Sequence, residues 1–369
     1  MTSIYTNRQW QLVSRPTGMF SQDNFSQVTE QIDTLNDGQV LVETNYLSFD
    51  PTQRIWAIID SYVPKIPLNS VMRAFGIGQV VESKNSKFKV GDFVYGNLGW
   101  QDYKLYDPQE KDFAKPQIIP GFLDPVMVAA LSITGVTAWL GMHKIAKVNA
   151  KDTVLVSGAA GAVGSMACQI AKLKGATVIG IAGGKKKCQF LLDDLGVDRA
   201  IDYQSGDLVK QIKDAVGDGI DIYFDNVGGE TLEIALTHLN KFARVILCGA
   251  ISQYNLLTEE SIAKAEAPGT KNIFNLIAQS ASMHGFVILD YMRDLPKALM
   301  TLYHWQNSGK IKQLIDMQEG FDNIPQTLQR LFEGKNIGKQ LLTIRHPSRP
   351  RNSNWMVENL FKLSRFIYS

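Results

Sequence analysis

Nine consecutive residues carry the clearest chemistry in this chain: Ser157-Gly158-Ala159-Ala160-Gly161-Ala162-Val163-Gly164-Ser165, joining an apolar run to an amphipathic one. A glycine-bearing turn between strand and helix lets backbone approach a diphosphate. The first helical N–H groups and the positive end of the helix dipole then face that anion. Gly161 is placed for the close approach, Ala162 and Val163 open the helix, and Gly164 permits tight packing of helix on strand. Ala159 stands where the first glycine of GxGxxG would be, so the pattern reads AxGxxG. Alone, such a turn is equally a structural βα connection. Set between two strands of a βαβ unit, it points to a dinucleotide.

The end of the second strand selects among dinucleotides. A free ribose 2′-hydroxyl is met there by Asp or Glu about 20 residues past the turn. This chain reads Ala182-Gly183-Gly184-Lys185-Lys186-Lys187 instead, with no carboxylate in the run. Three ammonium groups suit a 2′-phosphate, and cations in a first helical turn oppose the macrodipole unless an anion compensates them. The reading is NADP(H) over NAD.

Metal ligands are missing. No cysteine precedes Cys168, and Cys168, Cys188 and Cys248 all fall in the nucleotide-binding half. His143, His238, His284, His304 and His346 show no ligand spacing and read as structural. Hydride transfer polarised by a metal is thereby disfavoured, and a substrate that is already electrophilic is expected.

Such a site needs a large scaffold, and 369 residues, 45% of them hydrophobic, suggest two domains. Residues 1 to about 125 read as β-rich, with alternation in 39–44 and 76–82, a strand at 93–95 and frequent prolines. Short punctuated strands suggest a barrel or sandwich. From 126 the texture changes. Apolar strands at 153–157, 177–182, 220–225 and 243–248 alternate with helices predicted at 163–174 and 186–195. Continuous apolar strands flanked by helices imply a parallel sheet covered on both faces, most simply a doubly wound one. After about 310 a β-like piece at 339–344 reads as a return to the first domain.

Charge and composition narrow the partners. The net charge of +2 belongs to the tail, where residues 345–369 hold five Lys or Arg against one Glu; the remainder is slightly acidic. Nothing there makes an electrostatic case for nucleic acid. No apolar run approaches the roughly 20 residues of a membrane span, so no integral membrane role is expected. An N-terminus without an apolar core segment, and only three cysteines, lead to the expectation of a cytoplasmic protein.

Several motifs in order resemble a known family. They are Tyr46-Leu47-Ser48-Phe49-Asp50-Pro51, Gly99-Trp100-Gln101-Asp102-Tyr103, the 158–164 turn, Phe224-Asp225-Asn226-Val227-Gly228-Gly229, the 248–255 run and Gly334-Lys335-Asn336-Ile337-Gly338-Lys339. Over roughly 7–344 the chain resembles the zinc-free medium-chain dehydrogenase/reductases. Within them it is similar to the prostaglandin reductase / leukotriene B4 dehydrogenase group and its bacterial curcumin-reductase-like members. The resemblance implies an α/β fold: a Rossmann doubly wound parallel sheet domain at 126–309, plus a GroES-like β-barrel domain at 1–125 and 310–345.

The activity implied is NADPH-dependent reduction of the C=C bond of an α,β-unsaturated ketone or aldehyde: hydride to the β-carbon, then protonation of the enolate. Carried over by position, Gly161, Ala162, Val163 and Gly164 face the pyrophosphate. Lys187 is the 2′-phosphate lysine and Tyr203 its companion. Asn226, Cys248, Gly249, Phe286, Val287 and Ile288 line the nucleotide and nicotinamide side, and Asn336 sits by the nicotinamide ring. Tyr254 is the candidate hydroxyl for polarisation or proton donation, and equally a packing residue. A homodimer is expected from the family alone. Two departures are expected to alter the pocket. Thr52 and Gln53 follow Pro51 where Tyr and Met are usual, and Trp139 replaces a usual Tyr.

The tail at 346–369, outside the family pattern, mixes Trp355, Leu360, Phe361 and Phe366 with basic residues. It reads as a helix docking on the body or a second subunit, or as a peripheral membrane element. Two rival functions use the same motifs: a zinc-free quinone oxidoreductase, and an NADPH-binding regulator or scaffold without turnover.

Overall fold

The structure is a computed structural model that describes residues 5–109, 114–258, 260, 261, 264 and 269–349. The tail from Pro350 on therefore lies outside the described residues. Two compact units emerge. One holds the described residues up to Ala130, Met317–Glu333 and those from Gln340; the other holds Leu131–Asp316 and Gly334–Lys339. These limits differ from 125 and 310, and the six residues around Asn336 lie with the second unit, not the first.

The first unit is built on antiparallel strands. Tyr5–Leu12 (β1) pairs with Phe25–Ile32 (β2) and, on its other side, Ser70–Val71. A seven-stranded sheet is centred on Val40–Ser48 (β3), which pairs with Phe75–Ser83 (β4), Tyr103–Tyr106 (β5) and Lys339–Thr343. The alternation in 39–44 predicts one solvated face, yet β3 is buried on both faces. Its polar residues are paired inside. Arg345 donates to Glu43 at 3.0 Å and to the Tyr103 hydroxyl at 2.6 Å, while Arg8 grips buried Asp102 through Nε at 2.8 Å and Nη2 at 3.1 Å. Both buried carboxylates thus face an arginine, Asp102 through a two-nitrogen fork and Glu43 through the single Nη1 of Arg345, and such pairing makes their burial tolerable.

The second unit is a six-stranded, all-parallel sheet. Its strands are Thr153–Val156 (β6), Thr177–Ala182 (β7), Arg199–Asp202 (β8), Ile220–Asp225 (β9), Leu239–Leu247 (β10) and Ser282–Gly285 (β11), in the order β8-β7-β6-β9-β10-β11. Two apolar clusters cover its faces. One is built around Val154, Met166, Ile170 and Phe224, the other around Leu155, Ile179, Tyr223 and Leu236. The four apolar runs correspond to the four central strands. The two strands not anticipated, β8 and β11, are four-residue edges of mixed polarity, lacking the continuous apolar signature of strands buried on both faces. Helix Ala162–Leu173 follows β6 and stops at Gly175, whose φ of +82° supplies the left-handed residue that ends many helices. No single helix among the described residues is long and apolar enough to cross a membrane.

Close backbone approach governs the first unit's sheet at Gly78 on β4. A Cβ there would lie 2.4 Å from Val42 Cγ1 and 2.6 Å from the Glu43 carbonyl oxygen. Gly78→Ala is expected to destabilise the protein by about 1–3 kcal/mol, read as a lowered midpoint in thermal unfolding of the variant against the parent chain.

Candidate active site

The turn after β6 takes its shape from three glycines used differently. Gly158 adopts φ +58°, which reverses the chain. Gly161 is extended and caps the Ala162–Leu173 helix without any side-chain hydrogen bond, leaving the first-turn N–H groups of Ala162, Val163 and Gly164 uncapped by side chains. At Gly164 a Cβ would meet the Gly158 carbonyl oxygen at 2.3 Å and Ala159 Cα at 2.8 Å. The sequence reading of Gly164 as a packing glycine has this steric basis. The left-handed glycine is Gly158, one residue before the place the motif assigns.

Asp225, which the sequence reading left aside, organises what lies beside this turn. It is 1% exposed at the end of β9. Its Oδ1 accepts from Ser157 Oγ and Tyr223 OH, both at 2.8 Å, and from the N–H groups of Val227 and Gly228 at 3.0 Å. Its main-chain oxygen accepts from the N–H groups of Cys248 and Gly249 at 2.9 and 3.1 Å. Ser157 in turn accepts from the Asn226 N–H at 2.9 Å, and Asn226 Nδ2 donates to the Ser157 carbonyl at 2.7 Å. The Asn226 side chain therefore ties β9 to the turn after β6. An acidic residue ending a buried strand just before an Asn-Val-Gly-Gly turn is the signal that could have exposed this role.

Of the three consecutive lysines, Lys185 and Lys186 are exposed and only Lys187 is half-buried. Its Nζ donates to the Gly334 carbonyl at 2.7 Å. Burial pushes the ammonium below the usual lysine range, against a smaller opposing pull from Asp316. Tyr203 packs against Gly183 just past the strand end, its ring within 2.8 Å of where a Gly183 Cβ would stand. A carboxylate does reach this neighbourhood, from the next strand: Asp202 Oδ1 accepts from the N–H groups of Gly184 at 2.7 Å and Gln204 at 3.0 Å. It fixes the start of the lysine helix.

A cavity of about 1020 Å³ opens beside the ends of β9 and β10. Cys248, Gly249, Tyr254, Phe286 and Val287 line it, with Asp225 at its base. Tyr254 sits on a short helix, Ile251–Tyr254, and its hydroxyl accepts from the Ala250 N–H at 3.2 Å. Phe286 is held edge-on to Tyr291, and Gly141 makes room chiefly for Phe224, whose ring would lie 2.5 Å from a Cβ there, with the Phe286 ring at 3.3 Å. Ile288 packs against the core instead of the cavity. Asn336, buried, donates to the Gly338 carbonyl at 3.1 Å, and the Gly338 N–H donates to Ala160 at 2.8 Å, which sets this segment against the glycine turn. The expected residues thus fall into two groups: the turn, Lys187, Tyr203 and Asn336, and the cavity residues, with Asn226 tying β9 to the turn after β6.

The two departures from the family pattern have local partners. Trp139 is buried in the core beside His143, ring centroids 4.7 Å apart, and does not line the cavity. In the first unit Gln53 is buried and donates to the Arg73 carbonyl, while the Thr52 hydroxyl meets that of Tyr62, which also accepts from Trp56 Nε1 at 3.2 Å. Among the described residues no group of three or more His, Cys, Asp or Glu gathers as metal ligands.

A parallel nucleotide-binding sheet joined to an antiparallel unit defines a two-unit oxidoreductase. Residues 8–113 match the family model described as the N-terminal domain of oxidoreductase, and residues 162–304 the one described as zinc-binding dehydrogenase. The chain is 35% identical to the NADPH-dependent curcumin reductase of Escherichia coli, over 92% of this chain and 97% of that one. It is 36% identical to a 2-alkenal reductase (NADP(+)-dependent) of Nicotiana tabacum, over 83% and 87%. The crystal structure of CurA from Vibrio vulnificus in complex with NADPH superimposes with a TM-score of 0.84, at 36% identity, covering 92% of this chain and all of that one. The chain belongs to the medium-chain dehydrogenase/reductase family, in the group of the curcumin and 2-alkenal reductases.

Burial pushes the thiols of Cys168 and Cys248 up to about 12, and that of Cys188 upward by burial and the charge of Asp202. A raised thiol pKa keeps the unreactive protonated form through neutral pH, and reactivity returns only as pH climbs toward that value. At pH 8 iodoacetamide is expected to label Cys188 first and to spare Cys248 although it lines a cavity. Peptide mass spectrometry checks the order, and early labelling of Cys248 would contradict it.

Proposed function

We propose that this chain is an NADPH-dependent reductase of the C=C bond in α,β-unsaturated ketones and aldehydes. The observation that carries the reading is the near full-length match to reductases of alkenals and of curcumin. The coenzyme fits the residues present. The glycine turn has no space for a Cβ at Gly164, the helix it opens is not capped by a side chain, and the half-buried Lys187 ammonium would regain favour beside an anion.

In this reading Gly161, Ala162, Val163 and Gly164 offer backbone to the pyrophosphate, and Lys187 with Tyr203 holds the 2′-phosphate. Asn226, Cys248, Gly249, Phe286, Val287 and Asn336 serve the nicotinamide end, and Ile288 backs them from the core. Bound NADPH supplies a hydride. Tyr254 donates from its hydroxyl toward the substrate oxygen, where negative charge grows as the β-carbon is reduced. The cavity's apolar wall keeps water from the reacting carbons, and the Cys248 thiol stays neutral. The second unit is the coenzyme domain and the first the substrate domain. The described cysteines are free thiols, which suits a cytoplasmic protein.

Incubation with NADPH and a panel of enones and enals is expected to consume the reduced nicotinamide absorbance and yield the saturated carbonyl compound. Hydroquinone formation from quinones with no enone turnover would replace this reading. Lys187→Ala is expected to weaken NADPH by about 100-fold and NADH far less, because the ribose phosphate loses its counter-charge; dissociation constants for both coenzymes decide it.

The reading also includes a homodimer. Among the described residues β11 pairs on one side only, with β10, and Phe242, Phe274 and Ile277 are 74%, 69% and 75% exposed. The Phe242 N–H donates to Gln279 at 2.8 Å, so these side chains belong to one patch. An unpaired edge flanked by apolar side chains favours pairing with a second copy. Ile277→Glu is expected to convert dimer to monomer in analytical ultracentrifugation.

A further inference from the structure

Residues 334–338 form a strap fastened at both ends. At one end the Gly334 carbonyl accepts from Lys187 Nζ at 2.7 Å. At the other the Gly338 N–H donates to the Ala160 carbonyl at 2.8 Å, with a parallel bridge from Gly338 to Gly161. Both ends have left-handed backbone, φ +62° at Gly334 and +76° at Gly338. At Gly338 a Cβ would lie 2.4 Å from the Leu314 carbonyl oxygen. Asn336 lies midway, buried, its amide donating to the Gly338 carbonyl. The two fastenings are made by the elements assigned above to the two phosphate groups of the coenzyme.

We propose that Lys187 is a positioning residue for Asn336, acting through the Gly334 carbonyl, in addition to its charge toward the 2′-phosphate. An ammonium has three donors and a carbonyl takes one, so the strap contact and phosphate contacts coexist on Nζ. Five residues held at both ends have little freedom left, and fixing a group before the reaction lowers the entropy lost on binding. Occupation of the phosphate sites and placement of Asn336 are then coupled, reciprocally, as two sites biasing one element must be. The inference rests on the coenzyme reading for Lys187 and Asn336, while the strap contacts themselves are observed in the structure.

The test starts without coenzyme or substrate. In hydrogen exchange on the free protein, Lys187→Ala is expected to speed exchange of the Gly338 amide by about tenfold, and Lys187→Arg, which keeps a donor, to restore most of the protection. Turnover supplies the second readout, with NADH, which has no 2′-phosphate. Lys187→Ala is expected to lower kcat about fivefold, and this fall should vanish in an Asn336→Ala background because the two residues act in series. Unchanged Gly338 exchange overturns the proposal, as does an NADH kcat that Lys187→Ala leaves alone. A wild-type protein that reduces no enone, yet shows the exchange effect, keeps the strap and removes the substrate class instead.

Discussion

Taking the carboxylate of Asp225 out of water is tolerable only because donors converge on it, and each such charged hydrogen bond contributes about 1.5–3 kcal/mol. Those donors come from Ser157 after β6, Tyr223 within β9 and the turn that follows β9, while the main-chain oxygen of the same residue holds the turn after β10. Three strand ends are therefore fixed by one side chain and its own carbonyl. Asn226, Gly158, Cys248 and Gly249 inherit their positions from that arrangement. The Tyr223 hydroxyl, fully buried beside this charge, is pushed far above the ordinary tyrosine range by burial and by the neighbouring carboxylate. It serves as a donor, not as an acid.

Positive charge is distributed with similar economy. Lys185 and Lys186 stay in water, where their ammonium groups are well hydrated, and only Lys187 is drawn toward the body. Its burial is unfavourable to the charge, and the Gly334 carbonyl and the more distant Asp316 offset part of that. A half-buried cation and helical amides not capped by a side chain are each better satisfied with an anion nearby. Asp202, by contrast, spends its carboxylate on the backbone of Gly184 and Gln204.

The antiparallel unit solves the same problem with side-chain pairs. Glu43 and Asp102 are buried and each meets an arginine, so strands far apart in sequence are locked by charge as well as by the ladder. Arg54 is the exception in kind. Fully buried, it donates to the carbonyls of Pro16 and Gly18, and burial lowers it to about 10. Backbone carbonyls hold it where a carboxylate would be usual, which fixes the 16–18 segment.

The sequence alone made the parallel sheet legible, because β6, β7, β9 and β10 need apolar residues on both faces and so print continuous runs. It also exposed the glycine turn, since a tight βα connection with backbone approach restricts residue choice locally. Edge strands β8 and β11 were silent because half their surface faces water. Charge alone did not separate the three lysines, and only the family pattern singled out Lys187; the packing of the helix that carries them is what turns Lys187 inward. Trp139 was expected from the motif to alter the pocket; its burial beside His143 is a matter of what surrounds it. The role of Asp225 and the strapping of Asn336 depend on groups about 70 and 150 residues away in the chain, brought together only when strands align and unpaired buried polar atoms must find partners. Local periodicity therefore determined the elements and the turn, and the requirement that every buried charge be answered, across long separations, decided the site.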